Sequence, residues 1–351
     1  MTISRIILQY STKFSLLEPR AFRCYTLLNT KKKQGRTAMY YFIVNPGSRS
    51  GAGKDVWQKA EQILEQENVE YRVYFTGYRY HATRIAREIT SRTDSERVIL
   101  VAVGGDGTVN EVLNGITDFS RVLFGYLPTG SSNDFARCLG LPTDTEAAVR
   151  NLLHPSRFDR IDLGLADFGD RRQYFAVSCG CGFDAAVCHE ALSSRMKKLL
   201  NRLHLGKLTY VGIALKQLVL SRPGPVTVIT EGGRARTFSR AYFVSAMNCP
   251  CEGGGLRLAP RADAHDGLLD IFVVNRLNRF FISLMLPTAY AGLHAIFPGV
   301  HLYRARAAEF KSASRLPAHT DGEAYFLENA VKISCVPRVL ALISAPNTHK
   351  F

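Results

Sequence analysis

The sequence predicts an α/β domain built on a doubly wound parallel sheet, followed by a second domain of mainly antiparallel strands. In the first part of the chain, short apolar runs alternate with segments whose apolar residues repeat at helical spacing, which is the pattern of successive βαβ units. After about Asp162, short strand-like runs follow one another, and Gly232-Gly233 is predicted to form a hairpin turn between two of them. The 351 residues suffice for about two domains.

Four apolar runs are the predicted strands of the first domain. They are Tyr40–Val44, Tyr71–Phe75, Val98–Val103 and Val122–Leu127. Each precedes a helix pattern, and the last of these helices runs to Leu139 with Gly140 as its C-cap. Ligands of such sheets bind beyond the carboxyl ends of the strands. The loops at those ends are Asn45–Lys54, Thr76, Gly104–Thr108 and Thr129–Asp134. All are polar and small, so this edge is the predicted ligand site.

The stretch Val98–Ile116 carries the most informative local pattern. A buried strand ends at Gly104-Gly105-Asp106-Gly107, and Thr108 and Glu111 have the spacing of a capping box, which predicts a helix starting at Thr108. Glycines let the backbone approach a phosphate, and the free amides of a helix N-terminus favour negative charge. Asp106 would repel a bare phosphate, so it predicts an intervening cation, most simply Mg2+. The alternative is a strand–helix turn that is merely rich in glycine.

The loop from Asn45 to Lys54 resembles a Walker phosphate loop but does not meet its pattern. Five residues separate Gly47 from Gly53, where the Walker pattern requires four, and Asp55 stands where a serine or threonine would hold Mg2+. The loop can still wrap a nucleotide with its backbone amides and Arg49.

The formal net charge of +15 favours anionic partners such as nucleotides, nucleic acid or an acidic membrane surface. About half of it lies in residues 1–38, whose basic residues are Arg5, Lys13, Arg20, Arg23, Lys31, Lys32, Lys33 and Arg36. This basic extension is expected to be flexible, with an organelle presequence or an upstream-start artefact as alternatives. No secretory signal is predicted. The eight cysteines lack zinc-site spacing, so buried free thiols are expected.

Two later segments bear on membranes. Residues 195–222 interleave basic and leucine-rich positions without an acidic residue, a pattern typical either of a helix lying on an anionic bilayer or of a solvated helix with one apolar side on the core. Phe280–Val300 is the most apolar stretch, but Pro287, His294 and Pro298 interrupt it. It is predicted to be a core helix with a kink or stop, not a membrane span.

Three motifs occur in order: GGDGTVNEVLNGI at 104–116, PTGSSNDFAR at 128–137 and DGE at 321–323. Together with Asn45-Pro46, GFDA at 182–185 and the segment 248–274, they resemble the diacylglycerol kinase catalytic family of lipid kinases, which is related to sphingosine and ceramide kinases. The resemblance runs from about Tyr40 to Pro346. It departs from the family pattern at Arg49-Ser50, where a glycine-richer loop is usual, and at Cys249-Pro250-Cys251.

The resemblance implies a nucleotide-binding α/β domain like that of NAD kinases and a β-sandwich-like second domain. It implies boundaries of 39–162 for the first domain, to which 331–351 return, and 163–330 for a lipid-substrate domain. The implied ATP site comprises Asn45, Pro46, Gly47, Ser48, Arg49, Thr76, Gly104, Gly105, Asp106, Gly107, Thr108, Val109, Asn110 and Thr129. An implied structural Mg2+ site comprises Asp263, Asp266 and the carbonyl of Leu268.

A carboxylate can accept the proton of a lipid hydroxyl as that hydroxyl attacks the γ-phosphate of ATP. Glu323 in the DGE motif is the expected base, and Asp106 is expected to bind Mg2+–ATP. Asp321 is expected to orient Glu323 or the metal, and Asp134 to support the same cluster. Taken alone, DGE could equally be a surface turn.

The expected function is therefore an ATP-dependent lipid kinase that converts diacylglycerol to phosphatidic acid, is cytoplasmic, and acts peripherally at the inner, anionic face of a membrane. One alternative is a soluble-substrate kinase of the NAD kinase type. Another is a non-catalytic module that binds nucleotide and membrane. A nucleic-acid partner is not expected, because no nucleic-acid motif is present. The sequence leaves open whether the chain forms a homodimer.

Overall fold

The structure is a computed structural model that describes residues 39–92, 97–193 and 206–345. These residues divide into two units. Unit 1 contains the described residues up to Ile161 and from Arg338 onward, and unit 2 is Asp162–Pro337. The predicted basic extension, residues 1–38, lies outside the described residues.

Unit 1 has the expected alternation of strands and helices. Its elements are β1 (Tyr40–Val44), α1 (Ala52–Gln66), β2 (Tyr71–Phe75), α2 (His81–Thr90), β3 (Val98–Gly104), α3 (Asp106–Leu113), β4 (Val122–Pro128), α4 (Asp134–Cys138) and α5 (Thr145–Leu153). The strands pair in parallel in the order β4-β3-β1-β2. Every residue of β3 and β4 is buried, which is what a parallel sheet covered on both faces requires.

The doubly wound prediction for unit 1 is confirmed, and one helix start in it was predicted wrongly. Helix α3 begins at Asp106 rather than Thr108. The reason is that Gly105 takes the cap position, where its carbonyl accepts the amides of Thr108 at 2.9 Å and Val109 at 3.1 Å. Gly140 has the predicted left-handed conformation, with φ of 63°, at the end of a helix that stops at Cys138.

Unit 2 is built mainly of antiparallel strands, as predicted. Its elements are β5 (Arg157–Asp167), which begins in unit 1, then β6 (Arg172–Phe175), β7 (Ser178–Gly182), α6 (Phe183–Ser193), α7 (Gly206–Leu220), β8 (Gly224–Thr230), β9 (Ala235–Met247), β10 (Leu269–Asn275), α8 (Arg279–Tyr290), β11 (Val300–Ala305), β12 (Ala307–Ser312), β13 (Leu316–Thr320), β14 (Glu323–Leu327) and β15 (Ala330–Ser344). Their pairing runs β14-β13-β7-β9-β8-β12-β15, with β10 between β9 and β11.

Strand β9 has a buried side chain on each of its faces. Val244 and Ala246 belong to one core cluster, and Phe243 and Met247 belong to another. This follows from the alternation of side chains along a strand. The second cluster also contains Ile282 of α8, so helix α8 covers one face of this part of the sheet.

The C-terminal strand differs from its predicted placement in unit 1. Residues 330–334 of β15 pair with β12 in unit 2, whereas Ala341 and Leu342 pair with β4 in unit 1. The division therefore falls after Pro337 rather than before Val331. The described residues include no helix with the length and apolar content needed to cross a bilayer.

Candidate active site

The loops of unit 1 meet at the point where its strand order reverses. The chain passes from β1 to β2 on one side and then to β3 on the other side of β1. The reversal therefore lies between β1 and β3, and their carboxyl ends are where doubly wound sheets bind ligands. The loops that follow β1 and β3 are two of the four loops singled out by the sequence.

Hydrogen bonds hold the loop after β1 against the loops of β3 and β4. The Asn45 side-chain amide donates to Thr108 Oγ1 at 3.2 Å, and its carbonyl oxygen accepts the Gly47 amide at 3.1 Å. Ser48 Oγ lies 2.5 Å from Thr129 Oγ1. Four of the predicted ATP-site side chains, those of Asn45, Ser48, Thr108 and Thr129, are thus joined in two pairs.

The chain turns sharply just before α1. Arg49, Ser50 and Gly51 all have positive φ, at 45°, 59° and 107°. Turns of this kind expose successive backbone amides in an anion-binding concavity. Gly53 is also required here, because a Cβ at this residue would collide with the Asn45 carbonyl and with Ser48 Oγ. The loop therefore supplies backbone amides without a Walker pattern.

The loops after β3 and β4 pack backbone against backbone. A Cβ on Gly130 would lie 2.7 Å from Gly105 Cα, which is too close for any side chain. The Thr129 amide donates to the Gly104 carbonyl at 2.7 Å. Because these glycines leave no side chain between the loops, both backbones are free to approach the same phosphate group.

Two carboxylates lie beside these glycine loops. Asp106 Oδ1 accepts the Phe135 amide in the first turn of α4 at 3.0 Å, and Asp134 is buried. Burial raises the pKa of the Tyr126 hydroxyl well above its ordinary value, and the charges of Asp106 and Asp134 raise it further. A Mg2+ ion prefers carboxylate oxygens, so this donor set fits the predicted cation.

Other predicted ATP-site residues have structural roles. The Thr76 amide donates to the Val44 carbonyl at 2.8 Å, which fixes the chain at the end of β2. Val109 and Asn110 are buried within α3. The remaining residues, Pro46 and Gly107, lie in the loop after β1 and in the first turn of α3.

Glu111 does not form the capping box predicted with Thr108. Its carboxylate accepts the Tyr80 amide at 2.9 Å and the Ala82 amide at 3.1 Å. It therefore caps the N-terminus of helix α2, where unpaired amides favour an anion. The capping-box spacing is present, but Thr108 is already engaged by Asn45.

The DGE motif of unit 2 forms a tight turn between β13 and β14. Asp321 and Gly322 both have positive φ, at 49° and 82°. The Asp321 carboxylate accepts three backbone amides, from Ala176 at 2.8 Å, Val177 at 2.8 Å and Ser178 at 3.0 Å. Asp321 therefore fastens the turn to the backbone that leads into β7. Glu323 follows as the first residue of β14 and is largely buried.

His319 anchors the same turn from its other side, a role that no sequence pattern indicated. Its Nε2 lies 3.1 Å from the Asp184 carboxylate, and in the neutral ring Nδ1 accepts the Gly322 amide at 3.2 Å. Gly180 leaves room for this contact, because a Cβ there would collide with Asp184 Oδ2. The only local clue was the GFDA segment that contains Asp184.

Acidic groups surround His319. The ligand-type atoms of Asp184, Glu252 and His319 lie within 4.8 Å of one another. Burial lowers the pKa of His319, but the hydrogen bond and charge of Asp184 raise it by more, to about 9. Protonation of Nδ1 would remove its hydrogen bond from the Gly322 amide. The charged ring would then interact more strongly with Asp184.

The predicted structural metal residues share one turn of unit 2. Asp263 Oδ1 lies 2.8 Å from His265 Nδ1, and Asp266 Oδ1 accepts the Leu268 amide at 3.0 Å. Arg304 lies 3.4 Å from Asp266 Oδ2. Two carboxylates and a carbonyl within six residues are the oxygen donors that a hard divalent cation takes, so the donor chemistry fits.

Comparison with known proteins identifies both units. Residues 39–166 match the diacylglycerol kinase catalytic domain, and residues 177–344 match the YegS C-terminal NAD kinase beta sandwich-like domain. The Bacillus subtilis protein YtlR, whose name contains the term lipid kinase, is 29% identical over 291 residues, which cover 81% of this chain and 93% of that protein. A diacylglycerol kinase of Mycobacterium tuberculosis is 28% identical over 304 residues, covering 86% of this chain and 93% of that protein.

A solved structure supports the fold. The crystal structure of a diacylglycerol kinase from Bacillus anthracis has a TM-score of 0.63 and 20% sequence identity, and the match covers 89% of this chain and 98% of that one. Together with the two matched domains, this similarity confirms the α/β unit and the β-sandwich-like unit. The chain belongs to the diacylglycerol kinase family of lipid kinases.

Proposed function

We propose that this lipid kinase transfers the γ-phosphate of ATP to the hydroxyl of diacylglycerol, giving phosphatidic acid, with Glu323 as general base. The observation that carries the proposal is the packing of Gly105 against Gly130 beside Asp106. Two glycine backbones and a carboxylate at a strand-order reversal are suited to a nucleotide phosphate and its metal ion. The lipid kinase relatives supply the class of acceptor.

The residues of unit 1 bind ATP in this proposal. Backbone amides of the loops that follow β1, β3 and β4 bind the phosphates, and Asn45, Ser48, Thr108 and Thr129 hold these loops together. Asp106, supported by Asp134, would hold the Mg2+ of Mg2+–ATP, and that ion would neutralise charge on the transferring phosphoryl group. The turn of Asp263, Asp266 and Leu268 would hold a second, structural ion that stiffens unit 2.

In this proposal Glu323 accepts the proton of the lipid hydroxyl. As the lipid oxygen bonds to the γ-phosphorus, its proton passes to the Glu323 carboxylate, and the bond from the γ-phosphorus to the bridging oxygen breaks to release ADP. A base must be held in one position to act in this way. The three amides on Asp321 and the contact of His319 with Asp184 support such a position.

The test is phosphate transfer from labelled ATP to a lipid panel in mixed micelles. The panel contains diacylglycerol, sphingosine, ceramide, phosphatidylglycerol and undecaprenol, with NAD as a soluble acceptor. We expect label in diacylglycerol, and a fall in kcat of about 10²- to 10⁴-fold for Glu323→Gln with ATP binding retained. Glu328→Gln is the matched control, because Glu328 directly follows β14 but is exposed and paired with Arg315.

Each other outcome selects an alternative. Wild-type turnover by Glu323→Gln would remove the base assignment while leaving the kinase activity. Label in another lipid would correct the substrate, and label in NAD alone would indicate a soluble-substrate kinase. Binding of nucleotide and vesicles without transfer to any acceptor would indicate a non-catalytic module.

A further inference from the structure

Two long stretches of unit 2 contain no acidic residue. No aspartate or glutamate occurs between Glu190 and Glu231, or between Asp270 and Glu309. The first stretch includes helix α7, and the second includes helix α8 and the short helical turn His294–Ile296. These are the two segments in which the sequence indicated either a membrane surface or a core helix.

The structure brings the two acid-free stretches into contact. At the start of α8, the Arg279 side chain donates to the Leu218 carbonyl at 3.1 Å and to the Ser221 carbonyl at 3.4 Å, both at the end of α7. Leu218 packs in the same core cluster as Ile282 and Met285 of α8. The C-terminal end of α7 and the N-terminal end of α8 therefore pack against each other in unit 2.

Helix α8 is apolar on two opposite faces. Ile282, Met285 and Ala289 are buried, as expected for a core helix. On the opposite face, Phe280 is 66% exposed and Leu284 is 47% exposed. The prediction of a core helix is thus only half correct, because periodicity cannot distinguish a helix buried all round from one whose second apolar face is uncovered.

The uncovered face continues beyond α8. We define the α7–α8 surface by its exposed large apolar side chains, which are Leu215, Val219, Leu220, Phe280, Phe281, Leu284, Tyr290, Leu293 and Ile296. Most of the large apolar side chains that are exposed in the described part of the chain belong to it. Exposed apolar side chains concentrated on neighbouring elements in this way are typical of a binding face.

The charges around this surface indicate what binds it. Arg222 and Arg276 are exposed beside it. At its other end the Arg257 amide donates to the Ala289 carbonyl at 2.9 Å. Apolar and aromatic side chains bordered by arginines match a bilayer whose headgroups are anionic. A second copy of this chain would present the same positive rim, so like charges would oppose that pairing.

We propose that the α7–α8 surface docks on an anionic lipid bilayer, with Phe280 and Leu284 inserted at the boundary of headgroups and acyl chains. The proposal rests on the proposed function in one respect, which is that the acceptor lies in that bilayer. It assigns membrane contact to α8, a helix that the sequence placed in the core, as well as to the end of the basic segment 195–222. Residues 195–205 of that segment lie outside the described residues.

Flotation of the full-length protein with phosphatidylglycerol–phosphatidylcholine vesicles tests the surface directly. Losing one large apolar contact weakens binding about tenfold, so the double variant Phe280→Ser/Leu284→Ser should bind about a hundredfold more weakly. Phe326→Ser is the matched control, because Phe326 is an exposed phenylalanine of the same unit outside the surface. Arg222→Glu should weaken binding to anionic vesicles and leave binding to pure phosphatidylcholine vesicles unchanged.

Activity separates this proposal from the previous one. The double variant should phosphorylate short-chain diacylglycerol in detergent micelles at the wild-type rate and lose activity on long-chain diacylglycerol in vesicles, with an unchanged thermal midpoint. If the wild-type protein phosphorylates no lipid, the proposed function fails, yet flotation still tests the surface. Unchanged flotation of the double variant would overturn the docking proposal, as would a change confined to the oligomeric mass in solution.

Discussion

The glycine loops of unit 1 and the DGE turn of unit 2 are held rigid in opposite ways. Gly105 and Gly130 bring two backbones into contact with no side chain between them. The DGE turn is held instead by side chains that reach distant parts of the chain, with Asp321 on three amides and His319 on Asp184. One region leaves two backbones without a side chain between them, and the other fixes a single carboxylate.

Because of this difference, we expect different roles for Asp106 and Asp321, although each lies in a short glycine-containing motif. Asp106 accepts the amide of Phe135 at the start of a short helix. Asp321 accepts three amides at the start of β7 and just before it. We therefore expect Asp106 to matter mainly for Mg2+–ATP, and Asp321 mainly for the stability of unit 2.

The largest expected effects come from replacing each of these aspartates with alanine. Asp106→Ala should lower kcat/KM for ATP by about a hundredfold or more, because it removes the carboxylate that is proposed to hold the Mg2+ of Mg2+–ATP. Asp321→Ala should instead destabilise its turn by about 4 kcal/mol, since three hydrogen bonds to a charged group are lost. Hydrogen exchange measured on peptides spanning residues 176–178 and on the peptide containing Phe135 separates the two effects.

The comparison fails if each of the two variants shows the result expected of the other. Fast exchange at residues 176–178 with full activity would leave Asp321 a purely local anchor. Loss of activity in Asp321→Ala with unchanged exchange would place its carboxylate in the chemistry and not in the scaffold. For Asp106→Ala, retained ATP turnover would remove the residue from the proposed metal site.

The glycine loops were predictable from sequence, and the anchors of the DGE turn were not. Apolar runs such as Val98–Val103 end at glycines, so strand, turn and helix can be identified within one window of sequence. Asp321, by contrast, contacts amides up to 145 residues away. No local spacing predicts such a contact, because it requires the fold to pair β7 with β13.

Two predictions from the sequence differ from the structure for the same physical reason. The spacing of Thr108 and Glu111 satisfies a capping box, but both side chains bind partners in other segments of unit 1. Helix α8 has the composition of a core helix, but the described part of the chain covers only one of its apolar faces. Local pattern states what a side chain can bind, and tertiary packing decides which partner is present.

The His319–Asp184 pair gives the comparison a pH dependence. The folded pKa of about 9 lies above the ordinary value of 6.5, so the pair contributes fully below pH 6.5 and its contribution is lost as the pH rises through 9. The upper limit is about 3 kcal/mol. The difference in unfolding free energy between wild type and His319→Gln should therefore shrink from pH 6 to pH 9.5.

A double-mutant cycle with Asp184→Asn supplies the control. Because Asp184 raises the pKa of His319, either single substitution should remove the pH-dependent part, and the double variant should lose no more than one of them. Additive losses, or a difference that grows with pH, would mean that His319 is neutral when folded and acts only through Gly322.

The smallest expected effect tests whether a long-range side-chain anchor also operates in unit 1. Glu111→Gln weakens the cap on helix α2, because the neutral amide is a poorer acceptor for the Tyr80 and Ala82 amides. The expected loss is about 1 kcal/mol in the unfolding of unit 1. Glu146→Gln is the matched control, since Glu146 lies in the first turn of α5 in an exposed pair with Arg150 and should cost about 0.5 kcal/mol or less. Equal losses in the two variants would show that unit 1 depends on its backbone packing alone, and the contrast with the DGE turn would then be complete.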